Sequence, residues 1–413
     1  MSSANDRRYQ DALKAMESLE QAGFATRLAG GCVRDRLLGK LPYDYDLATV
    51  ARPEEVMAHF RAKKLSTVPT GADHGTITLV TPSGPIEITT LRKDVATDGR
   101  RAEVAFGSSF AEDAARRDFT INALFEDSQG RIDDYVGGQD DLKRGVLRFV
   151  GDPTTRMRED YLRILRLFRF WSTLGFRPDA ATLAAVADAK DGLKVISQER
   201  VTQEWTKMAA GKCLAEALQA MISGGVFATI LPEVSPCTMP ATAELLKWQG
   251  TTLPAVGVLA GLCLSDGIHD AKRLQKLAER MRMSRSDART LAHFAQARDA
   301  LIAAKFKETA DKLEFVDSCE QVAGQGSLSK LFAPVLGTFA ECRQMLSEIQ
   351  GAEMQFGHRR HAVMPINGKD LAKASGLLQG PELGRQLLRL KRAFYNGDWQ
   401  TKEEGLHWIK STF

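Results

Sequence analysis

Two aspartates, Asp44 and Asp46, stand one residue apart in the run YDYDLAT, and a glutamate, Glu87, interrupts the otherwise apolar run IEITTL. After the turn from Gly39 to Pro42, Tyr43, Tyr45 and Leu47 alternate with the two aspartates. Period-two spacing predicts a strand with both carboxylates on one face and the apolar side chains on the other. Carboxylates held side by side repel unless a cation bridges them, and hard oxygen ligands suit Mg²⁺. A lone pair of this kind is also found simply solvated. Glu87 has two readings of its own, since an unpaired carboxylate buried among apolar neighbours is costly. It either faces water on an edge strand or completes a two-metal site, where ions ~3.5–4 Å apart serve an in-line phosphoryl displacement.

Gly30 and Gly31 follow an apolar strand and precede the helical VRDRLL. Backbone N–H groups at such a strand-to-helix turn can approach phosphate oxygens, and a helix start favours anions. Arg34, in the first turn of that helix, can fork onto a phosphate. A Gly-Gly turn alone is most often only a turn. Glycines, an arginine and two carboxylates within one strand–helix–turn–strand unit suit a nucleoside triphosphate held by backbone and by Mg²⁺ together.

The elements that position these residues form two regions. Residues 8–22 have amphipathic helical spacing ending at Gly23, and short β-like runs follow to about Phe149: ATRLAG, YDYDLAT, GTITLVT, IEITTL and AEVAF. From Asp152 the spacing turns helical through to Trp408, with a softer boundary at LPEVSPCTMP (231–240). At 413 residues the chain exceeds one hydrophobic core, so two or more domains are expected. Lys+Arg at 56 against Asp+Glu at 52 gives only +4, so a nucleic-acid surface must come from local clustering. No run approaches the ~18 uninterrupted apolar residues of a membrane span. Six scattered cysteines without any CxxC fit a reduced cytoplasmic protein better than a disulfide scaffold or zinc site.

GGCVRDRLLG followed by DYDLAT is similar to the first motif of class II tRNA nucleotidyltransferases and bacterial poly(A) polymerases, a branch of the polymerase β-like nucleotidyltransferase superfamily. ARRDFTINALF (115–125) resembles the second motif, and DVATDGRRAEVAF (94–106) the flexible loop that repositions for terminal A. GDPTTRMREDYLRILRLFRF (151–170) resembles the EDxxR motif that opens the neck, and ISQERVTQEWTKM (196–208) the motif that ends it. The likeness is specific from about residue 24 to 210. It implies an α+β fold: a small N-terminal nucleotidyltransferase α/β head (1–150), then an elongated all-helical neck (151–235), body and tail (236–413). It implies template-independent transfer of CMP, CMP and AMP from CTP and ATP to a tRNA 3′ end. The rivals are a poly(A) polymerase, an enzyme adding only CC or only A, and a non-catalytic RNA-binding module, against which the intact carboxylate pair argues.

By the same resemblance, Asp44 and Asp46 hold two Mg²⁺ with Glu87 assisting; Gly30, Gly31, Arg34 and Arg117 meet triphosphate; Asp118 meets ribose; and Asn122 joins the nucleotide site. Asp160 and Arg163, read as i, i+3 neighbours on one helix, would by themselves be an exposed ion pair of little worth. The resemblance makes them the base template. An aspartate accepts from an exocyclic amine and an arginine donates to a ring nitrogen, which suits cytosine and adenine and rejects uracil and guanine. On a continuous helix Arg166 lies about 60° round from Arg163 and assists, whereas Arg169 lies about 180° from Asp160. A triphosphate or structural role therefore suits Arg169 better than base contact. His269-Asp270 lacks the further ligands of a phosphohydrolase site and reads as surface, and His74 receives no catalytic role. In the tail-like segment 365–395, the helix end carrying Arg389, Lys391 and Arg392 is either a solvated face or a contact with the tRNA backbone.

Overall fold

The computed structural model describes residues 4–71, 75–97, 102–106, 109–234, 253–303 and 306–412. His74, Cys237 and the tip of the 94–106 loop (98–101) lie outside these residues. The chain divides into two units, Met1–Pro232 and Glu233–Phe413.

The first unit is built on a seven-stranded mixed sheet. Its strands are β1 (Thr26–Ala29), β2 (Asp46–Thr49), β3 (Thr67–Gly71), β4 (Thr76–Thr81), β5 (Gly84–Thr90), β8 (Leu124–Glu126) and β9 (Ile132–Asp134), ordered β3-β4-β5-β2-β1-β8-β9. The pairings are antiparallel except β2 with β5, which run parallel. Strand β5 alternates as its sequence demands: Ile86, Ile88 and Thr90 are buried and Glu87 is exposed. Because β5 lies between β4 and β2, Glu87 is not an edge-strand residue. The first helix, α1 (Ala4–Gln21), is longer than its spacing predicted and buries Ala12, Ala15, Met16 and Leu19. The flanks of the 94–106 loop pair as a separate antiparallel ladder, β6 (Arg92–Thr97) with β7 (Ala102–Phe106).

The rest of this unit is helical apart from a two-residue parallel ladder joining β10 (Val146–Leu147) to β11 (Arg177–Pro178). Helix α6 (Pro153–Glu159) starts on an Asp152 cap with Pro153 at its first position, the asymmetry expected of a helix start. Helix α7 (Leu162–Leu174) buries Ile164, Leu165, Leu167 and Phe168, ends at left-handed Gly175, and packs against α9 (Gln198–Ala209). The hydroxyl of Ser172 on α7 donates to the carbonyl of Met208 at 2.7 Å, locking the two together.

The second unit is helical among its described residues. Val256 to Leu264 are all buried in helix Ala255–Ser265, yet no described helix is long and apolar enough to cross a membrane. A second core gathers Leu313, Ile366, Leu371, Leu390, Phe394 and Trp399, so the tail-like segment packs on helix Thr309–Ala323. Beside that core Arg360, only 1% exposed, is held by Asp317 (2.8 Å), Glu353 (3.1 Å) and Glu320, a triad that offsets the cost of burying its charge. Arg392 is likewise taken up by Asp311 (2.5 Å), Glu314 (2.6 Å) and Glu308 (3.4 Å), and Lys391 stands 3.7 Å from Asp317. Lys391 is exposed, as the solvated-face reading expects, whereas Arg392 is half-buried and engaged by three carboxylates. Asp270 caps helix Ala271–Arg280 by accepting from the Arg273 N–H at 2.7 Å, and His269 Nε2 lies 3.0 Å from the Leu264 carbonyl. That pair has a structural role.

Candidate active site

A cleft of about 870 Å³ opens in the first unit. Its lining includes Gly30, Gly31, Arg34, Asp46, Glu87, Arg117, Asp118, Asn122, Asp160, Arg163, Arg166 and Arg169, which is every residue assigned from sequence except Asp44. The fold brings them together from five separate stretches of chain.

The carboxylate wall comes from the parallel pair. Asp46 on β2 is in register with Glu87 on β5, so both side chains leave the sheet on one face. Burial first, then the neighbouring Glu87 and Asp44 carboxylates, push the Asp46 carboxyl up to about 6. The alternation expected over residues 43–47 holds only in part. The strand begins at Asp46, and while Tyr45 and Leu47 are buried, Tyr43 is 85% exposed on the rim. Asp44 therefore lies in the loop before β2, 62% exposed, with Arg8 Nη1 3.5 Å away. Burial is the leading cause of the Asp46 rise, and the rest is repulsion from Glu87 and Asp44, which a hard divalent cation among these oxygen donors relieves. The set fits such an ion, although among the described residues no three such groups already converge on one point.

The opposite wall is basic. Gly30 has φ 75°, which calls for glycine, and a Cβ there would displace the tip of Arg117, whose Nη1 lies 2.8 Å away. It caps the short helix α2 (Gly31–Leu37), which carries Arg34 into the cleft. Asn122 is a junction: its Oδ1 accepts from Arg34 Nη1 at 2.7 Å and its Nδ2 donates to Asp118 Oδ1 at 3.3 Å. Asp118 in turn accepts from Arg166 Nε at 2.7 Å and from the Phe119 N–H at 2.8 Å. Burial acts to raise the Asp118 pKa, but Arg166 and these donors outweigh it and hold the carboxyl below the ordinary range. Helix α4 (Phe110–Arg116), closed by a Ser109/Glu112 capping box, contributes Asp113. This carboxylate, 1% exposed, accepts from Arg116 at 2.5 and 2.8 Å on one oxygen and from Arg117 at 3.0 and 3.1 Å on the other.

The base-template pair departs from the expected geometry. Asp160 is not helical: α6 ends at Glu159, Asp160 is extended (φ −156°, ψ 105°), and α7 begins at Leu162. Asp160 and Arg163 thus flank a break, and their side chains do not pair with each other. Asp160 accepts from Arg200 Nη2 at 2.6 Å and from the Leu162 N–H at 3.1 Å, while Arg163 pairs with Glu159 and donates to the Arg156 carbonyl at 2.9 Å. The break also cancels the 180° separation deduced for Arg169. Arg163, Arg166, Arg169 and Thr173 line one side of α7 within the cleft, with Arg169 paired to Glu204 at 3.2 Å and stacked over Phe170 at 4.2 Å.

Sequence reasoning overlooked Asp113, Arg116, Arg200, Glu204 and Lys207, of which Asp113, Arg116 and Lys207 line the cleft. One signal covers three of them. Arg200, Glu204 and Lys207 follow one another at i, i+4 and i+7 in ISQERVTQEWTKM, the spacing of a single helix face. Asp113 also had a local signal, since Arg116 and Arg117 follow it at i+3 and i+4, the spacing at which a helical turn brings side chains together.

Residues 26–148 match the family model described as Poly A polymerase head domain, and residues 175–238 the one described as Probable RNA and SrmB- binding site of polymerase A. The chain is 32% identical over 403 residues to CCA tRNA nucleotidyltransferase 1, mitochondrial, of Danio rerio, covering 94% of this chain and 88% of that one. It is 33% identical over 390 residues to the CCA-adding enzyme of Leuconostoc mesenteroides, covering 94% and 92%. Among solved structures it resembles the Bacillus stearothermophilus CCA-adding enzyme in complex with CTP, with TM-score 0.75 and 27% identity over 100% of this chain and 98% of that one.

Proposed function

This chain belongs to the family of CCA-adding enzymes, and we propose from that premise how its cleft works. The enzyme is a tRNA nucleotidyltransferase: it adds C, C and A to the tRNA 3′ end from CTP and ATP, releasing pyrophosphate at each step. The observation that carries the assignment of roles is the in-register pair Asp46 and Glu87 facing a wall of arginines across one cleft.

Nucleotidyltransferases of this superfamily generally use divalent metal ions. We assign two Mg²⁺ to Asp44, Asp46 and Glu87, with Asp44 turning in from Arg8. Bound there, the ions would supply charge stabilisation for the attacking 3′-oxygen and the departing pyrophosphate. Gly30 and Gly31 offer backbone, and Arg34 and Arg117 offer guanidinium donors, to the triphosphate. Asp113 keeps Arg117 aimed, and Asn122 keeps Arg34 aimed, so little ordering is left to the moment of binding. Asp118 meets the ribose while Arg166 holds it ionised. Asp160 accepts from the base amine and Arg163 donates to the ring nitrogen. An Asp160 carboxylate with two partners retains acceptor sites for the incoming amine. Arg169 braces this face through Glu204, a structural role. The loop 94–106 reshapes the pocket between C and A addition. Head 1–150 performs the transfer, 151–235 reads the base, and 236–413 holds tRNA in a reducing, cytoplasmic setting.

The test is incubation of tRNA lacking CCA with each labelled nucleotide separately and then with CTP plus ATP. Two C additions followed by one A are expected. Repeated A on generic RNA without C would make it a poly(A) polymerase, C without A a CC-adding enzyme, and A only on tRNA already ending in CC an A-adding one.

A further inference from the structure

Nucleotidyl transfer joins two substrates, and the arginine wall meets only one of them, the incoming nucleoside triphosphate. The other, the RNA 3′ end, must bring its hydroxyl to the carboxylate side of the cleft, with the reacting atoms ~3–3.5 Å apart. The residue that stands there is Tyr43, which directly precedes Asp44 and lines the cleft. It is 85% exposed, so almost the whole side chain is open to a ligand.

Among the described residues two aromatic side chains line the cleft, Tyr43 and Phe170. Phe170 is already occupied. It is 8% exposed, with the guanidinium carbons of Arg169 and Arg34 at 4.2 and 5.2 Å from its ring centre and the Phe119 ring edge-on at 5.4 Å. The Tyr43 ring, by contrast, has no aromatic or cationic partner among the described residues, and its hydroxyl makes no hydrogen bond there. Only its backbone is held. Arg8 Nη1 donates to the Tyr43 carbonyl at 2.6 Å, and the neighbouring Tyr45 is buried with its ring centre 5.6 Å from that of Tyr9. A free ring on a fixed backbone leaves little to be ordered when a ligand arrives.

We propose that Tyr43 is the platform on which the terminal base of the acceptor RNA stacks, setting the 3′-hydroxyl beside Asp44 and Asp46. The proposal rests on the tRNA reading above and names the residue that holds the second substrate. Stacking suits the task because the terminal base changes as the reaction proceeds: first whatever base ends the unprocessed tRNA, then C, then C again. Hydrogen bonds fitted to one of these bases would reject the others, whereas every base offers a π-face to an aromatic ring. Selection of the incoming base is left to Asp160 and Arg163. The acceptor site tolerates sequence, and the nucleotide site reads it.

The experiment measures dissociation constants of the full-length protein for two RNAs: tRNA lacking CCA, and the same tRNA ending in an abasic nucleotide. Mg²⁺ and a CTP analogue with a methylene between its α- and β-phosphates are present, so both substrates bind and no transfer occurs. Wild type is compared with Tyr43→Ala and Tyr43→Phe, and thermal melts confirm that both variants fold. One base stacked on a ring this open to solvent sets the expected loss for Tyr43→Ala on intact tRNA at about tenfold. Wild type should bind the abasic tRNA about tenfold more weakly than the intact one, and Tyr43→Ala should change that weaker affinity by less than about twofold. Tyr43→Phe should match wild type, because the ring is kept. Wild-type affinity in Tyr43→Ala overturns the proposal. So does equal weakening of both RNAs, which would mean damage to the loop, and so does a loss in Tyr43→Phe as large as in Tyr43→Ala, which would mean the hydroxyl acts. Because binding is read without transfer, the two readings fail separately: a wild type that adds CCA yet shows no such coupling refutes the platform alone, and one that adds no CCA refutes the tRNA reading.

Discussion

Replacing Asp160 with alanine should collapse discrimination between CTP and UTP, and the structure sets the size of the effect. The Asp160 side chain is 27% exposed and shares its carboxylate with Arg200 and the Leu162 N–H. A hydrogen bond from a base amine to a carboxylate is worth about 1.5–3 kcal/mol. Partial exposure and the competing Arg200 put this one near the lower end. CTP should therefore lose about ten- to thirty-fold in kcat/KM, at roughly 1.4 kcal/mol per tenfold. Uracil gains at the same time, because its O4 no longer faces a carboxylate and the freed Arg200 guanidinium becomes a donor toward it. The CTP:UTP ratio should fall about 100-fold, within the ~10⁴–10⁵ ceiling of a polar site built to reject the wrong partner. The assay is initial-rate incorporation of each nucleotide into tRNA lacking CCA. Arg200→Met serves as the partner variant: it leaves the carboxylate in place and should keep most of the selectivity, whereas the double variant should lose the UTP gain. A ratio unchanged within about twofold in Asp160→Ala would refute base reading by this residue, whatever happens to the overall rate.

Other outcomes follow from neighbouring contacts. Asp46→Ala should abolish nearly all transfer while sparing tRNA binding, since it removes the carboxylate shared by the whole acidic wall, and near-normal turnover at saturating Mg²⁺ would sink the metal assignment. Gly30→Ala should cost about 1–3 kcal/mol in strain and raise KM for both CTP and ATP, because the added methyl meets Arg117 at 2.8 Å; urea unfolding and steady-state rates read both effects. Asp118→Ala should destabilise the first unit by about 1–3 kcal/mol, seen in denaturant midpoints, by removing a buried carboxylate that accepts from Arg166, Asn122 and the Phe119 N–H, the loss being moderated because Arg166 is itself 36% exposed and can turn to water. The folded Asp118 pKa is depressed, so its contribution is full above the unfolded carboxylate value near ~3.9 and is lost as pH falls through the lower folded value. Asp118→Asn should lack that component of acid destabilisation, and unfolding curves for both proteins from about pH 6 down to about pH 2 would reveal its absence.

Much of the site was legible in the amino-acid sequence because its signals are local. The positive φ at Gly30, the strand period that sets Glu87 apart from Ile86 and Ile88, and the Asp152–Pro153 helix start depend on residues a few positions apart, where sterics and hydrogen bonding act directly. What periodicity cannot report is partner choice across the chain. The register that sets Asp46 against Glu87 arises because β5 joins β2 in parallel, and Arg34 finds Asn122, 88 residues away, only once α2 and the 120–122 turn are brought together. Reading 160–169 as one helix misplaced Arg169, since the chain breaks at Asp160, where Arg200 from α9 and the Leu162 N–H take its carboxylate. The same holds for Arg392, whose row of basic neighbours looks solvated in sequence yet folds onto Glu308, Asp311 and Glu314. Sequence by itself determined which side chains could do the chemistry; tertiary packing decided which of their charges remain available, because an ion pair forms with whatever the fold brings within about 4 Å, however distant in the chain.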